Sequence, residues 1–302
     1  MCGFIGIVST KPLLRNSLMD NQFSKAYLNL KSRGPDEKGI YTDGNSYLLH
    51  TRLKILDLSP LSAQPMVKNN YTICFNGEIY NFKEIKNKLI NKGYYFKSSG
   101  DTEVILRAWQ EWGEKMLQKL DGMFSFAIWD KKNKNLFLAR DRFGKKPLVY
   151  CIKNNNIYFA SDVRSLSCIA EGGEVNNEAI HSLFRFRFIH EPMTIYKNFY
   201  KLPPGSLMCF NRYGKKIRYW YHLKELKKAT NKTNIKSLKY TIENAIKKRL
   251  ISDVPIGVFL SSGLDSAIII HTLAEMGKKI PTFTVGFKNE ASYYNESENA
   301  KK

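Results

Sequence analysis

The chain has 302 residues, 43% of them apolar and 25% charged, which is enough apolar material for two cores and sets a prior of about two domains. No run of about 18 apolar residues is present to span a bilayer, no secretory leader is expected, and no low-complexity tract interrupts the chain. The net charge of +21 invites a nucleic-acid partner, but Lys and Asn recur along the whole chain and no nucleic-acid module signature is present. A solvated basic surface is expected, with no membrane partner and no nucleic-acid partner. Cys2, Cys74, Cys151, Cys168 and Cys209 are scattered and none forms a CxxC pair. This argues for reduced thiols and a cytoplasmic address, and against a disulfide framework or a zinc site.

In chain order, Gly3–Val8 ("GFIGIV") reads as a buried strand and Asn16–Ser32 as a helix. Ser46–Leu53 and Tyr71–Phe75 read as strands. Asn81–Lys92 and Thr102–Glu111 read as helices, the second with Asp101 as its N-cap. Phe124–Asp130, Asn135–Arg140, Leu148–Ile152 and Ile157–Ala160 are short strands separated by turn-rich pieces such as "DKKNKN". Many strands of antiparallel length with two sets of helices predict sheets covered by helices. Residues 1–210 form the expected first domain, and 211–233, poor in large apolar residues, the linker. A helix from Ile235 to Leu250 opens the second part, 234–302. A strand, a small-residue turn and an apolar helix follow in "VPIGVFLSSGLDSAIIIHTLAEMG", then a strand in "PTFTVGF", which together make a β-α-β unit.

Cys2 stands directly before the first strand. Once Met1 is removed it carries a thiol and a free α-amine whose reference pKa is about 7.7–8.0. Such an amine can take the thiol proton, so one residue supplies nucleophile and base. On its own, "MC" favours the plain reading of a small hydrophobe that happens to stand second. His50, His181, His190, His222 and His271 show no ligand spacing and no catalytic pairing with a cysteine.

Behind Cys2 come "SRGPDEKG" (Ser32–Gly39), "LHTRLKILDLS" (Leu49–Ser59), "AQPM" (Ala63–Met66), "FNGEIYN" (Phe75–Asn81), "SGDTEVIL" (Ser99–Leu106), "DGMFSFAIWD" (Asp121–Asp130) and "LFLARDRFGKKPLVY" (Leu136–Tyr150). In these motifs and their order the first 210 residues resemble the class II glutamine amidotransferases. The resemblance implies the four-layer αββα sandwich of N-terminal-nucleophile hydrolases and a cofactor-free glutaminase with Cys2 as nucleophile. Asn76 and the Gly77 N–H would form the oxyanion hole. Arg52 would hold the glutamine carboxylate by its guanidinium fork and Asp101 the ammonium, with Glu78 assisting. Arg33 would belong to a segment that closes over glutamine. Taken singly, Arg52 and Asp101 are an ion pair and a helix cap, and "NG" is a hairpin turn.

"FLSSGLDSAI" (Phe259–Ile268) places a Ser/Gly turn at a helix start, where backbone N–H groups and a positive dipole end suit phosphate oxygens. It lacks the lysine of a P-loop. It resembles the SGGxDS loop of ATP pyrophosphatases. The resemblance implies ATP with Mg2+, Leu260, Ser261, Ser262, Gly263, Leu264, Asp265, Ser266 and Val285 as ATP-binding residues, and Asp265 as a magnesium ligand. Ser262 stands where that family has a glycine, so a crowded phosphate or an uncomfortable backbone angle is expected there. An ordinary strand–helix turn is the plain alternative.

A class II glutaminase followed by such a loop, joined through "FIHEPMTIYKNFYKLPPGSLMCF" (Phe188–Phe210), resembles the glutamine-dependent asparagine synthetase family. The implied reaction amidates aspartate with ammonia from glutamine through a β-aspartyl-AMP. The second domain is expected to be an incomplete parallel α/β domain, the start of an ATP-pyrophosphatase-like fold, with exposed edges and apolar faces. Three readings stay open: a synthetase completed by a second chain that supplies the missing part, a stand-alone glutaminase with a vestigial ATP loop, and a non-enzymatic remnant or interaction module; a homodimer is the other partner expectation. Another carboxylate acceptor is a further alternative.

Overall fold

The apolar run behind Cys2 forms strand β1, Gly3–Ser9, in which every residue is buried. The chain is a computed structural model describing residues 2–223, 234–287 and 295–301. It divides into two units, Met1–Lys224 and Glu225–Lys302.

In the first unit β1 is followed by α1 (Ser17–Leu30), β2 (Glu37–Thr42), β3 (Ser46–Arg52), β4 (Met66–Lys68) and β5 (Tyr71–Ile79). Then come α2 (Phe82–Ile90), α3 (Asp101–Trp112), β6 (Gly122–Asp130), β7 (Asn135–Arg140), β8 (Val149–Lys153) and β9 (Asn156–Ala160). The unit ends with α4 (Val163–Ile169), α5 (Asn177–Phe186), β10 (Phe199–Lys201), β11 (Ser206–Asn211) and β12 (Gly214–Tyr219). Helix α1 starts where the Asn16 side chain accepts the Met19 N–H at 2.9 Å. It buries Phe23, Ala26 and Leu30, spaced to share one face.

The strands make two six-stranded antiparallel sheets, in the orders β10-β8-β9-β1-β3-β2 and β12-β11-β7-β6-β5-β4. Their facing sides share one core, with Phe4, Leu48 and Phe159 from the first sheet and Ala127, Trp129, Leu138 and Met208 from the second. The outer face of the first sheet packs Ile5, Ile7 and Leu49 against Phe23 and Leu30 of α1 and Leu166 of α4. Helix α3 packs on β4 and β5 of the second sheet with α2 beside it, burying Phe82, Ile85, Val104 and Ile105. Each large apolar side chain buried this way contributes roughly 1.5–3 kcal/mol before entropy is counted. The layers are therefore helix, sheet, sheet, helix, the αββα sandwich expected from the sequence.

Strand β1 lies inside its sheet, paired with β3 on one side (Gly3 opposite Thr51) and β9 on the other (Ile5 opposite Ala160). The Phe4 N–H also donates to Ser161 Oγ at 3.0 Å. A chain end held on both sides does not fray, and this is how Cys2 is placed.

Two expectations are corrected. Residues 211–219 lie in what was expected to be linker, but they continue the sheet through the end of β11 and through β12. The segment "GKKIRY" is an exposed edge strand. Its charges hide any alternating apolar pattern, and pairing with β11 supplies what periodicity does not. Asp101 is not the N-cap of α3; Gly100 holds that place and Asp101 is the first helical residue. Its carboxylate instead accepts the Ile79 N–H at 3.0 Å, a contact between elements that local sequence does not encode. The sequence reading also does not anticipate strands β2, β4, β10 and β11 or helices α4 and α5, most of them short or largely exposed.

In the second unit, α6 (Ile235–Lys248) starts at Asn234, whose side chain caps Lys236 N–H at 2.9 Å. Strand β13 (Val258–Phe259), helix α7 (Leu264–Glu275) and β14 (Thr282–Phe283) then form a parallel β-α-β unit. Lys239 of α6 pairs with Glu275 of α7 at 2.8 Å. Phe259, Leu264, Phe283 and Val285 are exposed, as expected of so small a sheet. Among the described residues no helix is long and apolar enough to cross a membrane.

Candidate active site

A cleft opens beside the start of β1. It is lined by Cys2, Arg52, Leu53, Ile55, Leu56, Ser62, Gln64, Phe75, Asn76, Gly77, Glu78, Asp101, Thr102 and Lys146. The structure thus brings together all six residues singled out for the glutaminase chemistry. They arrive from the residue before β1, from β3, from β5 and from the start of α3.

The Cys2 thiol sits on the Leu53 backbone, with the Leu53 N–H 3.4 Å from Sγ and the Leu53 carbonyl 3.7 Å away. Its own carbonyl accepts Arg33 Nε at 3.2 Å. Arg33 therefore clamps the backbone of the nucleophile candidate. Burial pushes the thiol up, Asp101 adds to that, and the Leu53 N–H, the chain's α-amine and Arg52 oppose it. At neutral pH the thiol holds its proton, so a nearby base has to remove it.

Asn76 is almost fully buried, yet neither its side-chain oxygen nor its nitrogen has a hydrogen-bond partner. Buried amides in folded proteins are almost always bonded, so an unmet pair facing a cleft marks a place for a ligand atom. Next to it a Cβ on Gly77 would lie 2.2 Å from the Met123 carbonyl oxygen, so only glycine lets β5 approach β6 there. His50 braces the same stretch by bonding the Phe75 carbonyl through Nε2 at 3.0 Å. Burial holds its pKa down to about 4, so His50 is neutral and does not line the cleft.

Arg52 is buried. Its Nη1 pairs with Glu37 at 3.0 Å and with the Ser59 carbonyl at 3.0 Å, and its Nη2 reaches the carbonyls of Leu56 and Asp57. The guanidinium already holds a carboxylate, and an incoming one would share or displace Glu37. The loop that supplies those carbonyls is wound on Asp57, which accepts Ser59 Oγ at 2.5 Å, Ser62 Oγ at 2.8 Å and the Ser99 N–H at 2.7 Å. Burial raises the Asp57 carboxyl, but these hydrogen bonds outweigh it and hold the group well below the usual range.

Asp101 is raised to about 7, by burial first and by Glu78 second, against the Ile79 N–H that lowers it. Glu78 is also raised by burial, with Lys146 opposing. Lys146, Gln64, Ser62 and Thr102 add further polar side chains to the lining, and the sequence reading does not single them out. Gln64 ties β5 to α3, its Oε1 accepting the Phe75 N–H at 2.7 Å and its Nε2 donating to Thr102 Oγ1 at 3.3 Å. Lys146 and Gln64 both stand inside recognisable motifs, "RFGKKP" and "AQPM", and that was the available signal.

In the second unit Leu260, Ser261 and Val285 line one hollow with Phe259, Phe283, Thr284, Phe287 and Glu296. Ser266 Oγ lies 2.9 Å from Ser261 Oγ, and the Gly263 N–H donates to Ser261 Oγ at 3.2 Å. The Ser262 N–H donates to a Glu296 carboxylate oxygen at 3.2 Å, so the loop accepts an anionic oxygen at its turn. Ser262 is not among the described residues with positive φ, so serine meets no backbone strain there. Leu264 and Asp265 open α7 directly behind Gly263, its N-cap, and both are exposed. Among the described residues no cluster of three or more His, Cys, Asp or Glu side chains could hold a metal. Asp265 would be a single protein ligand to an ion that also binds phosphate oxygens.

The Cys2 thiol and the unmet Asn76 amide thus line one cleft at the start of β1. Residues 1–221 match the family described as glutamine amidotransferase domain, and the chain belongs to that family. Residues 237–302 match the asparagine synthase family. The chain is 35% identical over 297 residues to asparagine synthetase [glutamine-hydrolyzing] 1 of Bacillus subtilis, covering 96% of this chain and 46% of that protein. It is 34% identical over 319 residues to putative asparagine synthetase [glutamine-hydrolyzing] 2 of Methanocaldococcus jannaschii, covering 96% of this chain and 60% of that protein. The chain spans about half the length of the curated relatives it matches. Among solved structures, glutamine phosphoribosylpyrophosphate amidotransferase from B. subtilis, complexed with ADP and GMP, shares the fold. The TM-score is 0.54 at 16% identity, covering 97% of this chain and 68% of that one.

Proposed function

We propose that the first unit hydrolyses glutamine to glutamate and ammonia, and that the second belongs to a synthetase half that passes the ammonia to an adenylated carboxylate. Aspartate is the proposed acceptor and asparagine the product. The observation that carries the reading is the buried, unpartnered Asn76 amide in one cleft with Cys2.

With Met1 removed, the α-amine of Cys2 takes the thiol proton, and the thiolate attacks the side-chain carbonyl of glutamine. The oxyanion is met by Asn76 Nδ2 and the Gly77 N–H. The ammonium form of the amine returns its proton to the leaving nitrogen, the C–N bond breaks and ammonia departs, leaving a thioester. Water then attacks the thioester, giving glutamate and restoring the thiol. Arg52 holds the substrate carboxylate, and Asp101 with Glu78 the ammonium. No cofactor enters these steps.

ATP is the proposed second substrate, its phosphates on the Ser261–Ser266 turn and its base and sugar in the hollow at Leu260 and Val285. The Glu296 oxygen on the Ser262 N–H supports an anion there. Magnesium held by Asp265 would neutralise phosphate charge. A homodimer or a complementing C-terminal chain is the proposed partner, and five free cysteines suit a cytoplasmic address.

The test supplies glutamine alone, then glutamine with aspartate and Mg-ATP. Glutamate from the first mixture is expected; none at high protein concentration overturns the Cys2 assignment. Asparagine with AMP in the second identifies aspartate as acceptor. AMP with aspartate unconsumed points to another carboxylate, and glutamate without AMP leaves a glutaminase.

Acid should weaken substrate capture. A protonated Asp101 offers no charge to the substrate ammonium, and burial favours that neutral form up to about pH 7. Below that pH the ionised fraction falls about tenfold per pH unit, and the Cys2 amine, with an ordinary pKa of about 7.7–8.0, is protonated over the same range, so kcat/KM for glutamine should fall with a limiting slope steeper than one. Because Glu78 faces Asp101, the limb belongs to the pair. Bound glutamine stabilises the carboxylate, so kcat at saturation should bend at lower pH. A limiting slope of only one between pH 7 and pH 5.5, carried by the amine alone, would overturn the assignment of Asp101 to the ammonium.

A further inference from the structure

We infer that Asp57 is a positioning residue for glutamine, one buried carboxylate that fixes the two residues proposed to grip the substrate's ends, Arg52 and Asp101, at a set separation. The inference rests on the proposed glutaminase reading and adds a residue to it. Asp57 is only 6% exposed and is not one of the side chains lining the cleft, so it acts through others.

On one side Asp57 shapes the seat of Arg52. Arg52 Nη1 donates to the Ser59 carbonyl at 3.0 Å, and Nη2 to the Leu56 carbonyl at 3.5 Å and to the carbonyl of Asp57 itself. The direction of those carbonyls is set by the turn that Asp57 makes. Its φ is 51°, a left-handed conformation that Asp and Asn adopt more readily than most residues. Its Oδ1 accepts the Ser59 N–H at 3.1 Å and Ser59 Oγ at 2.5 Å, which closes the turn under the guanidinium.

On the other side the same carboxylate seats the start of α3. Asp57 Oδ2 accepts Ser62 Oγ at 2.8 Å and the Ser99 N–H at 2.7 Å. Ser99 stands directly before Gly100, the N-cap of α3, and Asp101 is the first residue of that helix. A Cβ on Gly100 would lie 2.8 Å from Ser62 Oγ and 3.2 Å from Asp57 Cβ, so the helix start rests on the Asp57 turn. An aspartate that only closes its own turn needs no more than the local bonds at Oδ1. The bond to Ser99 spans 42 residues and ties the Arg52 seat to the segment that carries Asp101. Glutamine bears its carboxylate and its ammonium on one carbon, so the groups that hold them have to keep a fixed distance. A misplacement of about 1 Å at such a site can cost about 10^2-fold.

The test compares two reagents for Cys2, followed by mass spectrometry in the whole chain. Iodoacetamide reaches the thiol without using Arg52 or Asp101. The diazoketone analogue of glutamine keeps the α-carboxylate and α-ammonium and carries its alkylating carbon in place of the side-chain amide. Asp57→Asn is isosteric and suits the same φ, but one carboxylate oxygen becomes an NH2 group, so either the Ser59 or the Ser99 N–H loses its acceptor. The analogue concentration that half-saturates labelling should rise roughly tenfold or more, with the limiting rate held within about threefold and the iodoacetamide rate unchanged. KM for glutamine should rise in step while kcat holds. An unchanged half-saturation, or an iodoacetamide rate that falls along with analogue labelling, overturns the inference. Gly100→Ala keeps the carboxylate and sets a methyl group between the turn and α3. It should raise the half-saturating concentration in the same direction, and no rise there also overturns the inference. Loss of the glutaminase reading would appear separately, as wild-type protein whose Cys2 reacts with iodoacetamide but not with the analogue.

Discussion

Cys2→Ala should abolish glutamine hydrolysis while leaving the fold intact. Among the described residues the thiol's hydrogen-bond partner is the Leu53 backbone, at 3.4 and 3.7 Å, and it takes no part in either core cluster of the sandwich. Strand β1 is held by pairing on both sides, which does not involve the side chain of Cys2. The effect on stability should therefore stay within about 0.5 kcal/mol. Removing a nucleophile, by contrast, leaves only binding and the oxyanion hole, and a loss of roughly 10^3-fold or more in kcat is expected. Cys2→Ser should lose nearly as much, since a hydroxyl is far harder for an α-amine to deprotonate. The readout is glutamate release per mole of protein beside a thermal melt. Turnover retained in both variants would falsify the assignment of the nucleophile, and a lowered melting temperature would assign Cys2 a structural role instead.

Asn76→Ala should lower kcat by roughly 10^2–10^3-fold and change KM little, as for other single oxyanion-hole donors. The asymmetry follows from what Asn76 does before substrate arrives. Both its polar atoms are buried and unmet, a state that costs roughly 1–3 kcal/mol of stability. That cost is recovered only when an acceptor with growing negative charge occupies the cleft, which happens in the transition state more than in the ground state. Alanine removes the unmet atoms, so the melting temperature should hold steady or rise while the rate falls. Asn76→Asp should be slower still, because it sets a carboxylate against the forming oxyanion. A fall in KM-dependent binding with kcat unchanged would place Asn76 on the substrate's carboxylate or ammonium rather than on the reacting oxygen.

How much of this was legible beforehand depended on the range of the interactions. The strand behind Cys2, helix α1 with its Asn16 cap, and the Phe124–Asp130 and Asn135–Arg140 strands carry their own periodicity and end signals. Strands β2 and β12 lie at sheet edges, with outward faces that have no apolar pattern. Only their partners β3 and β11 make them strands. Asp101 shows the same limit at a single residue. A helix-start aspartate reads as a cap, yet its carboxylate is turned to Ile79 N–H on β5, 22 residues away. Lys146 reads as one more lysine among many until the Arg140 and Asp141 contacts fold its loop against the cleft.

The sequence by itself determined the two-part layout, the sandwich, the cysteine at the chain start and the five residues that line its cleft with it. Each is encoded either by local periodicity or by a motif whose residue types match one chemistry. The tertiary structure alone decided the state in which those residues meet. It buried Asp101 so that its carboxyl rises to about 7, left the Asn76 amide without a partner, tied Arg52 to Glu37, and brought Lys146 beside Glu78. These are properties of desolvation and of contacts between distant segments, and they arise only when the two sheets and helix α3 close on one another.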